Sequence, residues 1–202
     1  YGNSSVGVPP ADPDSVFLHY DGFETGNLSR WDGSWTGAGD SFNVVGTTVR
    51  TGSYAGQAVV NAGTVAAAMH SFPAVAGLHS SAYYYLPGGW DSGEYVALSE
   101  FRGASNLAGL TIGEPPNAMV PYVYNEAGGG FYFSDTPITT GSWYRLEMKF
   151  LVSPTSGRAE LWVNGVQKVN QTSIDTGSSN IDTSFAGIYW RPSLAGTAYV
   201  DD

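Results

Sequence analysis

The sequence predicts an all-β fold in which two antiparallel sheets pack face to face as a sandwich, and three observations support this. Glycine accounts for 27 of the 202 residues and aromatic residues for 14%, whereas charged residues account for only 13%. This composition is typical of many short strands joined by tight turns. Apolar and charged residues alternate in the middle of the chain with the period of a half-buried strand. Glycine, proline and asparagine clusters separate such runs, and no segment shows a clear helical period.

The clearest strands form a hairpin in the middle of the chain. Apolar side chains alternate with arginine, glutamate and lysine in residues 144–152, and residues 159–163 repeat the alternation. Residues 153–157 between them contain a proline and a glycine, which favour a turn. Asn164 and Gly165 then form the dipeptide that a type I′ turn prefers. The sequence therefore predicts two long strands and a second tight turn here.

The remaining strands are predicted from valine, threonine and aromatic content between turn clusters. In chain order they cover residues 16–20, 42–50, 53–60, 66–72, 81–86, 94–101, 107–112, 119–124, 130–133, 182–190 and 196–202. The four from 94 to 133 are closely spaced and predict a meander. About a dozen antiparallel strands must hide their edges, and two curved sheets of jelly-roll type do so.

Length and composition limit the domain organisation and the partners. Residues 1–15 contain three prolines among small polar residues and predict an extended arm or linker to a larger protein or assembly, followed by a single domain in residues 16–202. With 18 acidic and 8 basic residues, the net charge of −10 opposes binding to nucleic acid or to an anionic membrane. The absence of cysteine excludes disulfides and thiolate sites. No apolar run is long enough for a spanning helix, so membrane insertion is not expected.

Motifs in three parts of the chain resemble those of the concanavalin A-like (laminin G-like) jelly-roll superfamily. They are D-G-F-E-T-G-N-L-S-R-W at residues 21–31, the pair W-Y-R-L-E at 143–147 and L-W-V-N-G at 161–165, and A-Y-V-D-D at 198–202. The resemblance covers residues 16–202 and implies a jelly roll. Members of that superfamily include lectins, glycan-binding modules, polysaccharide lyases, glycosidases and adhesion domains, so the fold alone does not assign an activity.

A calcium ion is one expectation from this resemblance, because family members often hold a structural calcium at an edge of the sandwich. Asp21 and Glu24 lie in the first structured turn, and Asp201 and Asp202 lie at the other end of the chain. First and last strands of a jelly roll are frequently neighbours, so these carboxylates are candidate oxygen ligands. The alternative is that Asp21 closes an Asx-turn and that Asp201 and Asp202 are solvated.

Aromatic side chains on the predicted strands are candidate glycan-binding residues, because flat rings stack on the C–H faces of sugars. The candidate set comprises Tyr83, Tyr85, Tyr95, Tyr122, Tyr124, Trp162 and Trp190, together with Arg102 for sugar hydroxyls or a carboxylate. About half of these rings are expected to pack in the core, because alternate residues of a strand face inward.

Two further segments resemble strands of alginate lyases. Leu98-Ser99-Glu100-Phe101-Arg102 is similar to their Arg-Ser-Glu-Leu-Arg strand, and residues 186–189 are similar to their Ala-Gly-Val-Tyr strand. The resemblance implies that Arg102 neutralises a uronate carboxylate and that Tyr189 moves protons at the sugar ring. The leading arginine is replaced by Leu98, however, and residues 107–112 contain nothing like the expected Gln-Ile-His, so the neutralising amide and the base histidine are missing.

Other catalytic arrangements are not supported by the sequence. The Glu-x-Asp-x-Glu triplet of jelly-roll glucanases does not occur, and Glu94 and Glu100 on one strand would lie about 20 Å apart, too far for a glycosidase pair. His19, His70 and His79 show no metal-ligand spacing.

The sequence alone therefore favours a non-catalytic extracellular or cell-surface module that binds glycan or mediates adhesion. One alternative is a polysaccharide lyase that acts by β-elimination on a uronate polymer. The other is a structural subunit of a virion, filament or surface layer, whose partners are copies of itself.

Overall fold

The computed structural model describes residues 17–61, 64–88, 95–113, 119–190 and 195–202. These residues form fourteen strands and no helix. The strands make two seven-stranded antiparallel sheets that share one hydrophobic core. The predicted all-β, two-sheet sandwich is therefore confirmed. The predicted arm, residues 1–15, lies outside the described residues.

The first sheet carries the predicted meander. In spatial order its strands are β1 (Gly33–Thr36), β4 (Ala66–Val75), β13 (Ile181–Trp190), β6 (Tyr95–Arg102), β7 (Asn106–Gly113), β8 (Pro121–Asn125) and β9 (Gly130–Phe133). Strands β6 to β9 are sequential neighbours, as the short glycine- and asparagine-containing connections between them require.

The second sheet contains the central hairpin and the last strand. In spatial order its strands are β12 (Val166–Ile174), β11 (Gly157–Val163), β10 (Trp143–Leu151), β5 (Gly77–Tyr85), β14 (Gly196–Asp201), β3 (Ala55–Val60) and β2 (Ser41–Val45). Asn164 and Gly165 between β11 and β12 have φ angles of 51° and 79°, both positive as a type I′ turn requires. The turn prediction is therefore confirmed.

The core lies between the two sheets and follows the predicted alternation. In β10, Leu146, Met148 and Phe150 are buried in the core and Lys149 is exposed. Glu147 on the same strand is also buried and pairs with the partly exposed Arg145 at 2.7 Å. The first sheet supplies the opposing layer from its own inward-facing apolar side chains. No described segment forms a helix long and apolar enough to cross a membrane.

Three strand predictions need correction. Residues 17–20 form no strand; side-chain contacts hold them instead, since Arg30 Nε donates to the carbonyl oxygen of Tyr20 at 2.8 Å and the ring of His19 stacks on that of His70 at 4.1 Å. Strand β2 ends at Val45 rather than at residue 50. Strands β1 and β12 were not predicted, because short or polar edge strands lack a clear apolar alternation.

Gly187 is a tightly constrained position in β13, two residues before Tyr189. Its φ of 131° is one that residues with a side chain rarely adopt. An added Cβ would lie 2.7 Å from the carbonyl oxygen of Ala66 and 2.9 Å from the ring of Phe42. Only glycine fits at position 187, so this residue allows β13 to pair closely with β4.

We expect Gly187→Ala to lower the free energy of unfolding by about 2 to 4 kcal/mol, because backbone strain and overpacking add. Urea denaturation would measure this loss. Gly88→Ala is the matched control, since a Cβ added there meets no atom within 4 Å, and it should change stability by less than about 0.5 kcal/mol. Equal stability of the two variants would contradict the crowding at β13.

Candidate functional site

A cleft of about 950 Å³ lies on the face of the first sheet that points away from the core. Alternation along β8 sends Val123 into the core and Tyr122 and Tyr124 to the cleft, and in β13 Ile188 points inward and Tyr189 outward. The lining also includes Trp35, Tyr95, Glu100, Asn106, Glu126, Phe131 and Phe133. One sheet therefore provides both a core layer and a polar-aromatic cleft.

An irregularity in β6 brings Glu100 into this cleft. The register between β6 and β7 shifts between Ala97 and Ser99, which changes the alternation. As a result Leu98 and Phe101 are both in the core and Glu100 lines the cleft. A β-bulge commonly redirects a side chain next to a functional site.

The carboxyl group of Glu100 is deeply buried for an acidic residue. Only 4% of the residue is exposed. Burial raises its pKa from an ordinary 4.5 to about 9, the charge of Arg102 lowers it and that of Glu126 raises it. Glu100 is therefore a neutral carboxylic acid at neutral pH.

Tyr189 lies next to the polar groups of the cleft. Its Oη donates a hydrogen bond to Asn106 Oδ1 at 3.3 Å. Burial raises the pKa of Tyr189, the charge of Glu100 raises it further and Arg102 lowers it. Because Glu100 keeps its own proton up to about pH 9, its effect on Tyr189 operates only in alkaline solution. Tyr189 is thus a protonated hydroxyl at neutral pH.

A second tyrosine in the cleft forms a pair with a carboxylate. Tyr124 Oη donates a short hydrogen bond to Glu126 Oε2. This bond is the main reason that the pKa of Tyr124 rises to about 12, and burial adds to it. The pKa of the neighbouring Tyr122 is raised to about 12, mainly by burial. The hydroxyl of Tyr124 therefore keeps its proton at neutral pH.

Exposed rings line the cleft beside these polar groups. Phe131, Phe133 and Trp35 are 54%, 40% and 44% exposed. The ring of Phe131 lies 4.9 Å from that of Tyr124, and that of Phe133 lies 4.7 Å from that of Tyr122. These flat apolar surfaces can stack on sugar rings. The sequence analysis missed them, although Phe131 and Phe133 show the period-two spacing that places both on one face.

Several of the predicted site residues meet in this cleft. Tyr95, Tyr122, Tyr124 and Tyr189 all line it. Arg102 lies beside it, with its guanidinium carbon 5.2 Å from the ring centroid of Trp35. The predicted lyase pair Arg102 and Tyr189 is therefore on one face of one sheet.

The other predicted aromatic residues are not brought to the cleft. Tyr83 and Tyr85 lie on β5 and Trp162 on β11, all in the second sheet. Tyr83 packs under the guanidinium group of Arg50 at 3.3 Å. The side chain of Trp190 lies outside the described residues. The predicted aromatic group is thus divided between two sheets.

The histidines do not supply the missing base. No described histidine lines the cleft. The rings of His19 and His70 stack on each other, and His79 Nε2 lies 3.6 Å from Glu147 Oε2 on the second sheet. The described titratable groups that line the cleft are the hydroxyls of four tyrosines and the carboxyl groups of Glu100 and Glu126.

The first two predicted calcium ligands are engaged by the protein itself. Asp21 accepts hydrogen bonds from the backbone N–H of Phe23 at 2.9 Å and from Trp31 Nε1 at 2.7 Å. The first of these contacts is the Asx-turn expected as the alternative. Glu24 accepts from the backbone N–H of Ser53 at 3.0 Å.

The other two predicted ligands connect the end of β14 to a loop. Asp201 Oδ2 accepts from the backbone N–H groups of Arg50 and Thr51 at 2.8 and 3.2 Å, and Asp202 pairs with Arg50 at 3.0 Å. Burial raises the pKa of Asp201 and that of Asp21. In the described part of the chain, no three acidic or histidine side chains are grouped closely enough to hold a metal ion. All four predicted ligands are therefore held by hydrogen bonds or ion pairs within the protein.

Comparisons with solved structures identify the fold. No protein-family model and no curated protein matches the sequence. An endo-β-1,4-glucuronan lyase from the fungus Trichoderma reesei superposes with a TM-score of 0.68 and 12% identity, over 87% of this chain and 90% of that one. The cellulose induced protein Cip1 superposes with a TM-score of 0.64 and 16% identity, over 90% of this chain and 94% of that one. The alginate lyase Aly36B superposes with a TM-score of 0.61 and 13% identity, over 91% of this chain and 89% of that one. A variant of Aly36B was solved in complex with an alginate trisaccharide. The fold is therefore the concanavalin A-like jelly roll.

These comparisons also correct the functional preference. The sequence analysis favoured a non-catalytic binding or adhesion module, and this preference is wrong. The superposed structures include a glucuronan lyase and alginate lyases over nearly the whole chain, which favours the alternative of a polysaccharide lyase. The preference rested on the missing glutamine and histidine and on the shortness of the two lyase-like segments.

Glu100→Gln should make the stability of the protein less dependent on pH. The folded pKa of Glu100 is about 9 against an ordinary 4.5, so the folded chain keeps a proton that the unfolded chain releases. The contribution of Glu100 to stability is therefore full below pH 4.5 and falls by about 1.4 kcal/mol per pH unit towards pH 9. Glutamine cannot ionise, so the variant should gain stability over the wild type between about pH 5.5 and 8.5. Urea denaturation of both proteins at about pH 5.5 and 8.5 measures this difference in stability. Parallel pH profiles of the two proteins would contradict the burial of the Glu100 carboxyl group.

Proposed function

We propose that this protein is a polysaccharide lyase that cleaves a uronate-containing polymer by β-elimination in the cleft of the first sheet. The observation that supports this most directly is the grouping of Tyr189, Asn106, Glu100 and Arg102 in and beside one aromatic-lined cleft. Lyases of the same fold act on glucuronan and alginate, by their names.

The chemistry of the step can be assigned to these side chains. In β-elimination a base removes the proton at C5 of the uronate, the C4–O bond to the leaving sugar breaks, a C4–C5 double bond forms and the leaving oxygen takes a proton. Tyr189, as phenolate, accepts the C5 proton and returns it to the leaving oxygen, so protons balance. Arg102 stabilises the negative charge that develops on the uronate carboxylate.

The protonation of Tyr189 sets the pH dependence of this step. Its pKa is raised above 10, so the phenolate is scarce at neutral pH and kcat, measured at saturating substrate, should increase towards alkaline pH. Binding of the substrate excludes water and strengthens the attraction between Arg102 and developing charge. The bond to Asn106 orients the hydroxyl towards the cleft.

The exposed rings provide the binding surface for the polymer. Trp35, Phe131 and Phe133 give apolar area beside the polar groups, as carbohydrate sites require. A polymeric substrate does not cross a membrane, so we propose an extracellular location.

A structural calcium ion at the edge formed by Asp21, Glu24, Asp201 and Asp202 remains a prediction of the family resemblance. It would require these carboxylates to exchange their present N–H donors for the ion. If an ion binds, EDTA should lower the melting temperature and added calcium should restore it, because a ligand of the folded state stabilises it. An unchanged melting temperature in a scanning calorimeter would contradict the prediction.

Tyr189→Phe should abolish cleavage, with a loss of about a thousandfold or more, since the ring remains and only the proton-transferring hydroxyl is removed. The assay follows the ultraviolet absorbance of the unsaturated uronate product on glucuronan and alginate. Tyr54→Phe is the matched control, because Tyr54 packs beside Gly26 and does not line the cleft. The rate of this variant should equal that of the wild type. Absence of product from wild-type protein across several uronate polymers would contradict the lyase assignment.

A further inference from the structure

Glu100 occupies a place in the cleft that the elimination chemistry leaves unused. It is only 4% exposed and yet lines the cleft, so its carboxyl group lies at the bottom of it. On the neighbouring strand β7 stands Gly109, where an added Cβ would come within 2.6 Å of Glu100 Oε2. The missing side chain of Gly109 leaves the space that the carboxyl group fills.

The surroundings of Glu100 keep its carboxyl group uncharged. Burial is the largest influence on this carboxyl group and outweighs the opposing charge of Arg102, because a buried carboxylate is costly. The charged and titratable groups that act on it or are affected by it are Arg102, Glu126, Tyr124 and Tyr189. Both tyrosines are neutral at neutral pH, and the carboxylate of Glu126 opposes the effect of Arg102. A neutral carboxylic acid is therefore available as a hydrogen-bond donor.

We propose that Glu100 recognises the uronate of the substrate by donating a hydrogen bond from its neutral carboxyl group to the substrate carboxylate. The inference rests on the proposed lyase function and specifies which group replaces the missing amide. Arg102 lies two residues further along β6, its charge acts on Glu100, and its guanidinium carbon is 5.2 Å from the ring centroid of the cleft residue Trp35. The two residues bind the substrate carboxylate together, one with a proton and one with a charge.

The chemistry of the pair accounts for selectivity towards uronates. A hydrogen bond from a carboxylic acid to a carboxylate is charge-assisted and stronger than one between neutral groups. An ionised Glu100 would repel the same substrate. A neutral sugar, which has a hydroxymethyl group instead of the carboxylate, would neither gain from Glu100 nor be repelled by it. Glu100 is thus a specificity-determining residue.

The test measures binding of an oligouronate and of the same oligosaccharide with its carboxylates reduced to hydroxymethyl groups, by calorimetric titration at about pH 7 and 10. Tyr189→Phe is present throughout, to prevent turnover. On this background we compare Glu100, Glu100→Gln, which keeps a donor that cannot ionise, and Glu100→Ala, which has none.

With Glu100 present, oligouronate affinity should fall about tenfold or more between pH 7 and 10, because the donor ionises and repels the ligand. The oligouronate affinity of Glu100→Gln at pH 7 should be within about threefold of that of the protein with Glu100, and it should be the same at pH 10. Glu100→Ala should bind about tenfold more weakly at pH 7, the value of one hydrogen bond to a charged group. The reduced oligosaccharide should show none of these differences.

Two failures can be told apart. If the wild type cleaves uronate polymers but Glu100→Gln binds like Glu100→Ala, or shares the pH dependence of Glu100, the role of Glu100 is overturned and the lyase function stands. If no polymer is cleaved but binding follows the expected pattern, the lyase function fails and carboxylate recognition stands. If nothing is cleaved or bound, both are overturned.

Discussion

The alternation of side chains along four strands of the first sheet is the constraint on which both the fold and the cleft depend. Strands β6, β7, β8 and β13 use one face to fill the core and the other to line the cleft. A change in the register of any one strand would exchange the two sets of side chains. The core positions Phe101 and Ile188, each adjacent in sequence to a cleft residue, therefore also determine where Glu100 and Tyr189 point.

Burial is the property that the unusual titratable groups of the cleft share. It is the first cause of the raised pKa of Glu100, Tyr122 and Tyr189, because ionisation is costly in a buried environment. Clusters of perturbed titratable groups in a cleft are typical of catalytic sites, although ion-pair networks can also produce them. Here the shifts arise from burial beside few compensating donors.

Much of the fold could be predicted because its signals are local. The turn at Asn164 and Gly165, the β10–β11 hairpin and the meander all depend on neighbouring residues. The cleft was predicted only in part. A period of two indicates which face of a strand a residue is on but not which sheet the strand joins, so Tyr83 and Trp162 could not be separated from Tyr122.

The burial of Glu100 in the cleft could not be predicted from the sequence, for a different reason. The position of Glu100 depends on the irregularity between Ala97 and Ser99 and on the space above Gly109, and both involve two strands at once. Exposure of Phe131 likewise depends on β9 being the edge of its sheet. Such features arise from pairing, which no short motif encodes.

The position of β14 has a consequence for how the molecule assembles. This strand comes from the end of the described chain, yet it lies between β5 and β3 in the middle of the second sheet. Until residues 196–201 have left the ribosome, β5 and β3 each present an unpaired edge that can join another chain. The sandwich therefore closes only after β14, which follows every other described strand along the chain, and its contacts between distant residues favour slow folding.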